Sequence, residues 1–317
     1  MSKPAVKKSI ISAALDIVSD KWTVLLLREL FLGSCTWGDF SKHLNISPAT
    51  LNKRLKQLLD ADCIIKDSKP GSRTTSYVLS ERGIDLFPFM VMAREWQITW
   101  DQKLNVYTSP WIHRCGKPLR CRSVCACCQQ DNLWNNLAFE NKSEYEQEAV
   151  FSLAQRHFRA SSNDILDLRS GENLPKIIQV LGDRRACQVL AVMYRGSDRF
   201  EAIERRSGLH PAIVSERLRM IQILGLCHTR LYQTTPDRYE YILSPSAGHF
   251  FEVIIQLLQW GEKWLDPREL NRVPLRHISC NHRLTAQVIC SHCEEPVHFS
   301  DTRTETATLT PPATAQR

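Results

Sequence analysis

Apolar residues over the first hundred positions recur at helical spacing, in blocks separated by short polar breaks. Ile10, Ala14, Leu15 and Val18 mark one amphipathic stretch, and residues 21–31 form a richer run that reads as a core helix stopped by Gly33. A short helix over about 36–44 carries Trp37 and Phe40 on one face. Ser47-Pro48 opens the next helix, with Ser as N-cap and Pro in the first turn. There Leu51, Leu55 and Leu58 fall within about 60° of one another at 100° per residue and face inward, whereas Ala49, Lys53, Lys56 and Gln57 face outward. Residues 63–80, CIIKDSKPGSRTTSYVLS, read as a hairpin around Lys69-Pro70-Gly71, and a long helix is expected over 81–104. Two short helices joined by a tight turn and followed by a hairpin is the order of a winged helix-turn-helix domain.

The pattern occurs twice. A shift of 163 residues lays Asp20 on Asp183, Gly33 on Gly196, Pro48 on Pro211 and Arg54 on Arg217. One more residue of offset aligns Tyr77, Leu79, Trp96 and Trp100 with Tyr241, Leu243, Trp260 and Trp264, and a further step aligns Cys115, Cys125 and Cys128 with Cys280, Cys290 and Cys293. The expected fold is mainly α with small β-hairpin wings: two winged helix-turn-helix domains in tandem, each followed by a small Cys-rich segment resembling a zinc ribbon. The expected boundaries are 8–108 and 109–130 for the first domain and its Cys-rich segment, 131–172 for a helical linker, 173–270 and 271–302 for the second pair, and 303–317 for a disordered tail.

In such a domain the helix after the turn enters the major groove and the wing lies on the adjacent phosphates. Lys and Arg against phosphates supply sequence-independent affinity, and hydrogen-bonding side chains against base edges supply specificity. The first repeat offers Lys53 and Lys56 for either task, Thr50, Asn52 and Gln57 for base edges, and Lys66, Lys69 and Arg73 on the wing. The second offers Ser215, Arg219 and Gln222 on its helix and Arg230 and Arg238 on its wing, together with Glu216 and Asp237, which make it less cationic. Any one of these Lys or Arg residues read alone is as readily a solvated surface charge. Arg54 and Arg217 flank the apolar stripe and are expected in salt bridges, and the paired tryptophans read as core or interface anchors rather than a ligand cage.

The cysteines carry the second candidate chemistry. A CxxC turn lets two thiolates reach one ion, and tetrahedral zinc needs two more ligands. The expected first site takes Cys115, Cys125 and Cys128 with His113 or Cys121, and the second takes Cys280, Cys290 and Cys293 with His277 or His282. Three Cys and one His is preferred, because both repeats can supply it. Four ligands leave no open position, so a structural ion is expected, ahead of unligated thiols or a redox CxxC. Cys35, Cys63, Cys187 and Cys227 sit in apolar contexts and read as core.

Composition narrows the rest. The 317 residues, 43% hydrophobic, suffice for about two domains, and the formal charge of +7 suits a polyanion without specifying one. Asp16 and Asp20 interrupt any signal-peptide pattern and no run of 18 apolar residues occurs, so a cytoplasmic protein without a membrane span is expected. Twelve cysteines then point to metal or redox chemistry rather than to structural disulfides. No nucleophile with its base, phosphate loop or dinucleotide fingerprint is present, which argues against an enzyme.

The run ALDIVSDKWTVLLLRELFLGSCTWGDFSKHLNISPATLNKRLKQLLDADCI, with SYVLSERG after it, resembles the HxlR-type winged helix-turn-helix regulators, over about residues 8–104 and more weakly 172–267. The resemblance implies binding to double-stranded DNA, usually as a homodimer paired through terminal helices; the duplication in this chain leads to the further expectation of an intramolecular pseudo-dimer that mimics it. Some such regulators sense oxidants through a cysteine before the first helix; here Ser9 occupies that position. The second repeat has Arg184-Arg185-Ala186 where the first has Lys21-Trp22-Thr23. The alternative function is a protein interaction module, derived from a regulator, with vestigial DNA binding.

Overall fold

The computed structural model describes residues 8–67, 75–101, 111–140, 175–266, 268, 270–271 and 274–304. The first repeat runs β1 (Lys8–Ser9), α1 (Ile10–Val18), α2 (Lys21–Phe31), α3 (Trp37–Leu44), α4 (Pro48–Asp60), β2 (Ile64–Asp67), β3 (Ser76–Leu79), α5 (Glu81–Ile84) and α6 (Phe87–Trp100). Its Cys-rich segment holds β4 (Trp111–His113), β5 (Cys121–Cys125), a 3-10 turn at Trp134–Asn136 and β6 (Leu137–Phe139). The second repeat follows with α7 (Lys176–Leu181), α8 (Arg184–Tyr194), α9 (Phe200–Ser207), α10 (Pro211–Ile223), β7 (Cys227–Thr234), β8 (Asp237–Leu243) and α11 (Pro245–Trp264). β9 (Leu270–Asn271), β10 (Leu275–His277), β11 (Ala286–Cys290), a 3-10 turn at Phe299–Asp301 and β12 (Thr302–Thr304) complete it.

Local chemistry explains the helix starts. The Asp20 carboxylate accepts from the backbone N–H of Trp22 and Thr23 and caps α2, and Asp183 does the same for α8 through Arg185 and Ala186. Thr36 and Asp39 form a reciprocal capping box on α3, and Ser47 caps α4. Each such cap contributes about 1 kcal/mol by satisfying a donor that the helix leaves orphaned. Asn45, between α3 and α4, takes a left-handed conformation with φ 46° and turns the chain.

Three expectations change. The helix expected over 81–104 breaks between α5 and α6, because Pro88 has no N–H to donate to the carbonyl of Ile84. Glu252 stands at the aligned position of the second repeat, and α11 runs unbroken for 20 residues. The start of the expected linker, at 131–140, belongs instead to the Cys-rich fold through its 3-10 turn and β6, while 141–172 lies outside the described residues. The tail is likewise ordered through Thr304 by β12, and the remainder lies outside the described residues.

The two repeats hold each other through reciprocal contacts, as about a local twofold axis. Trp96 Nε1 donates to the Ser246 carbonyl at 2.7 Å, and its mate Trp260 Nε1 donates to the Arg82 carbonyl at 2.8 Å. Trp100 Nε1 donates to His249 Nδ1, and Trp264 Nε1 to the Asp85 carboxylate. β5 and β11 run antiparallel with Ser123 opposite its own counterpart Val288, and a backbone bridge sets Asp20 opposite Asp183. β4 pairs with β12 and β10 with β6, so each Cys-rich segment closes on a strand from the other.

Packing follows the same exchange. Phe299 of the second segment sits against Phe31 and Phe87 of the first repeat at ring separations of 5.1 and 5.2 Å, and Trp134 of the first segment sits against Tyr194 and Phe251 of the second repeat at 5.1 and 4.8 Å. One hydrophobic cluster therefore runs through both repeats. α1 crosses α11 at Gly261, where a Cβ would stand 2.6 Å from Ile10 Cγ2, so only glycine admits that approach.

Candidate nucleic-acid interface and metal centres

α4 is clamped from below and open above. Leu51, Leu55 and Leu58 are buried, and Arg54 reaches Asp20 at 2.6 Å, which ties the helix to the N-terminus of α2. Arg217 repeats this bond to Asp183 at 2.8 Å and also meets Glu216. The second pair is the more buried, with Arg217 only 3% exposed. Both arginines thus have the structural role their position beside the apolar stripe suggested.

The outward face is mixed. Lys53 and Lys56 are exposed, with Lys56 bonded to Asp60 one turn on, an exposed i,i+4 pair that a phosphate can readily displace. Thr50 accepts from the Ser47 hydroxyl, and the exposed Asn52 accepts from Trp37 Nε1 through its Oδ1. Gln57 departs from its expected role: its amide donates to the Asp16 and Ile17 carbonyls at 3.0 and 2.8 Å, and its oxygen accepts from Arg54. It satisfies the C-terminal carbonyls of α1, which need a donor, instead of addressing bases. Lys66 is exposed on β2, and Lys69 and Arg73 lie outside the described residues.

On α10, Ser215 and Arg219 are exposed and Gln222 is half-buried. On the second wing Arg238 is exposed, whereas Arg230 is bonded across the hairpin to Glu240 at 2.5 Å, a pairing that directs it along the wing. Both wings are tied to the start of their helix pairs in the same way: the Tyr77 N–H donates to the Cys35 carbonyl and the Tyr241 N–H to the Asp198 carbonyl. Among the described residues no helix is long and apolar enough to cross a membrane.

All eight expected metal ligands come together, but in exchanged groups. His113 and Cys115 meet Cys290 and Cys293, and Cys125 and Cys128 meet His277 and Cys280, each set with its ligand atoms within 4.8 Å of one another. The grouping of Cys115 with Cys125 and Cys128, and of Cys280 with Cys290 and Cys293, is therefore overturned. The reason lies in the sheet: the β5–β11 ladder runs antiparallel, so the CxxC at the end of each strand arrives beside the His-and-Cys turn of the opposite segment. Cys121, an alternative ligand, stands across the ladder from Cys290 but turns its buried thiol to the Val91 carbonyl and joins neither set.

The turns bring these donors together. Gly116 and Asn281, each directly after a ligand cysteine, have φ of 80° and 57°, and Gln129 and Glu294, each directly after a CxxC, have φ of 59° and 61°. These left-handed residues fold the chain back, so that the Gln129 and Glu294 N–H groups donate to the carbonyls of Cys125 and Cys290. The donor spacing fits one tetrahedral ion. Zn–S bonds of about 2.3 Å imply sulfur–sulfur edges near 3.8 Å and, with Zn–N of about 2.0 Å, sulfur–nitrogen edges near 3.5 Å. Cys125 Sγ and Cys280 Sγ stand 3.8 Å apart, and His277 Nδ1 lies 3.4 Å from both Cys128 Sγ and Cys280 Sγ. His113 Nδ1 lies 3.4 Å from Cys293 Sγ. A hydrogen bond with His113 brings the Cys115 thiol down to about 7, and the His282 backbone N–H, with help from His277, brings Cys280 down to about 5, so both favour the thiolate that a metal needs.

The HxlR-like helix-turn-helix family profile matches residues 17–105 and again 180–269, more than half of the chain. The chain belongs to this family. An uncharacterized HTH-type transcriptional regulator of Mycobacterium tuberculosis (strain CDC 1551 / Oshkosh) is 31% identical over 135 residues, covering 43% of this chain and 85% of that protein. The uncharacterized HTH-type transcriptional regulator YvaP of Bacillus subtilis (strain 168) is 27% identical over 97 residues, 30% of this chain and 90% of that protein. The crystal structure of PA1607 is 25% identical with a TM-score of 0.35, covering 37% of this chain and 83% of that one. The two HxlR-like matches end before each Cys-rich segment, so the metal-ligand sets lie outside the parts that define the family.

Proposed function

We propose that this protein is a cytoplasmic, non-enzymatic transcriptional regulator that binds duplex DNA as an intramolecular pseudo-dimer, with the two exchanged Cys₃His sets each holding a structural zinc ion. The observation that carries the reading is the reciprocity of the repeats: Ser123 opposes Val288 and Asp20 opposes Asp183, so the two helix-turn-helix units are related as the halves of a dimer are. A dimeric reader meets two half-sites about 34–36 Å apart, and one chain with two such units supplies both halves. Relatives described as HTH-type transcriptional regulators support the same function. The domains then run 8–108 and 173–270, with the Cys-rich segments as the part that locks them together.

Zinc fits the donor set: soft thiolates with imidazole, tetrahedral edges, four ligands and no open position. The imidazole of each site has its Nδ1 toward the thiols, while its Nε2 is buried with no hydrogen-bond partner among the described residues. The rings are therefore oriented by packing and by the thiol side alone. An ion there would supply cross-linking, not chemistry.

DNA binding is tested by fluorescence anisotropy on random-sequence duplex across a salt series. Affinity should fall steeply with salt, and Lys53→Ala/Lys56→Ala should flatten the log–log slope by up to about 1.8, at about 0.9 for each phosphate no longer neutralised. Absence of binding at low salt by the folded, zinc-loaded protein would instead favour the interaction-module reading.

A further inference from the structure

The two metal-ligand sets are not equivalent. Beside the set of Cys125, Cys128, His277 and Cys280 stand two more donors, Cys127 and His282, with Cys127 Sγ 3.3 Å from His282 Nδ1. With Cys280 they form a third group whose ligand atoms lie within 4.8 Å of one another. Cys127 and His282 are exposed, unlike the buried Cys125 and His277. At the aligned positions around the other set stand His292 and Lys117, and a lysine ammonium offers no lone pair to a metal. The additional donor pair therefore exists on one side of the molecule only.

We propose that Cys127, His282 and Cys280 form a third, exchangeable metal site for a soft, thiophilic ion such as Cu(I), with the Cys280 thiolate bridging this ion and the structural ion beside it. The proposal rests on the reading that the two four-ligand sets are occupied. Two sulfurs and one nitrogen, with no fourth donor grouped with them among the described residues, suit an ion content with three ligands, and thiolate donors select Cu(I) over harder ions. Exposure gives such an ion an entry path that the buried neighbours lack. Cys127 is also displaced from the CxxC pattern: it lies between the two ligands Cys125 and Cys128 on the turn, so it faces outward when they face in. No electron transfer is involved; the ion binds with loss of any thiol proton to solvent.

The test uses the full chain as purified with its zinc, kept anaerobic. One equivalent of Cu(I) is supplied against a chromogenic Cu(I) chelator, the protein is desalted, and both metals are counted. The expected result is one copper retained with both zinc ions still bound. Cys127→Ser and His282→Asn, both at exposed positions, should each keep two zinc ions and weaken copper capture by at least about tenfold, the scale on which even outer-shell changes act. Copper bound only by expelling zinc ion for ion, or captured equally well by both variants, overturns the proposal while leaving two zinc sites in place. Fewer than two zinc ions in the purified protein overturns the two-site reading and this proposal with it.

Discussion

The exchanged grouping of ligands can be separated from a grouping within each repeat by counting metal in two double variants. Cys115→Ser/Cys293→Ser removes two ligands from one set and leaves the other whole, so one zinc ion should remain. Cys115→Ser/Cys125→Ser removes one ligand from each set and should lower occupancy of both. Ligation within each repeat predicts the reverse: the first pair would damage two sites, and the second only one. The stability consequence also follows from connectivity. His113 and Cys293 are 180 residues apart, and Cys125 and Cys280 are 155 apart. Closing a loop of that size restricts the unfolded chain by about 5 kcal/mol on the cross-link scale, against about 3 kcal/mol for a loop near 15 residues, which is what local ligation would close. The second exchanged ion then closes only the short path left by the first, so it contributes about 3 kcal/mol. Urea unfolding of the two-zinc, one-zinc and chelated protein measures both steps. If Cys115→Ser/Cys293→Ser bound no zinc while Cys115→Ser/Cys125→Ser kept one ion fully, the exchanged geometry would be wrong.

Three further outcomes follow from the fold. Arg217→Ala should cost about 3–5 kcal/mol, since it strands the buried Asp183 carboxylate, whereas Arg54→Ala, whose partner Asp20 is a quarter exposed, should cost about 1 kcal/mol; equal losses in urea unfolding would contradict this. Burial, with repulsion from Asp131, raises the Glu252 carboxyl from 4.5 to about 8, so its folded form holds a proton that the unfolded chain releases. The stability this proton confers is complete below about pH 4.5 and lost as pH rises to about 8; Glu252→Gln should match wild type at pH 4.5 and exceed it by a few kcal/mol at pH 8, and parallel pH profiles of the two proteins would refute the assignment. Leu275 lines an apolar cavity with Tyr194, Phe251 and Leu258, where the first repeat places Trp111 at the aligned position, so Leu275→Trp should fill it and stabilise by about 0.5–2 kcal/mol, read as a raised thermal midpoint.

Much of this was legible because local rules and the repeat agreed. Asp20 ahead of an apolar run and Gly33 after it mark α2 at both ends, and Ser47-Pro48 marks the start of α4, so the helix-turn-helix could be read from caps and periodicity alone. The ligand residues were legible from spacing. Their grouping was not, because duplication yields one set of eight donors that satisfies two sites in either of two ways, and only the antiparallel pairing of β5 with β11 chooses between them. Gln57 was misread for a related reason: a helical wheel shows which side chains leave the core, not which neighbouring helix end lies within reach. The break at Pro88 did carry a local signal, a proline deep in a supposed helix with no counterpart in the second repeat.

Joining both halves in one chain alters what the architecture can do. Two separate copies sharing exchanged ligand sets must be alike, and each of their metal sites must wait for a partner. Within one polypeptide the second half-site is present at an effective concentration set by the linker, so closure no longer depends on protein concentration. The halves are then free to diverge. Trp111 fills a space that Leu275 leaves open, Cys127 and His282 stand where the other side has His292 and Lys117, and Lys53 and Lys56 stand where the other helix carries Glu216 and Arg219. The paired tryptophans that hold the axis, and the Asp–Arg clamps inside each repeat, are kept in both. Divergence thus reaches packing positions as well as the outward helix faces, while both tryptophan pairs and both clamps persist, which is the distribution expected if those contacts set the spacing of two unequal reading heads.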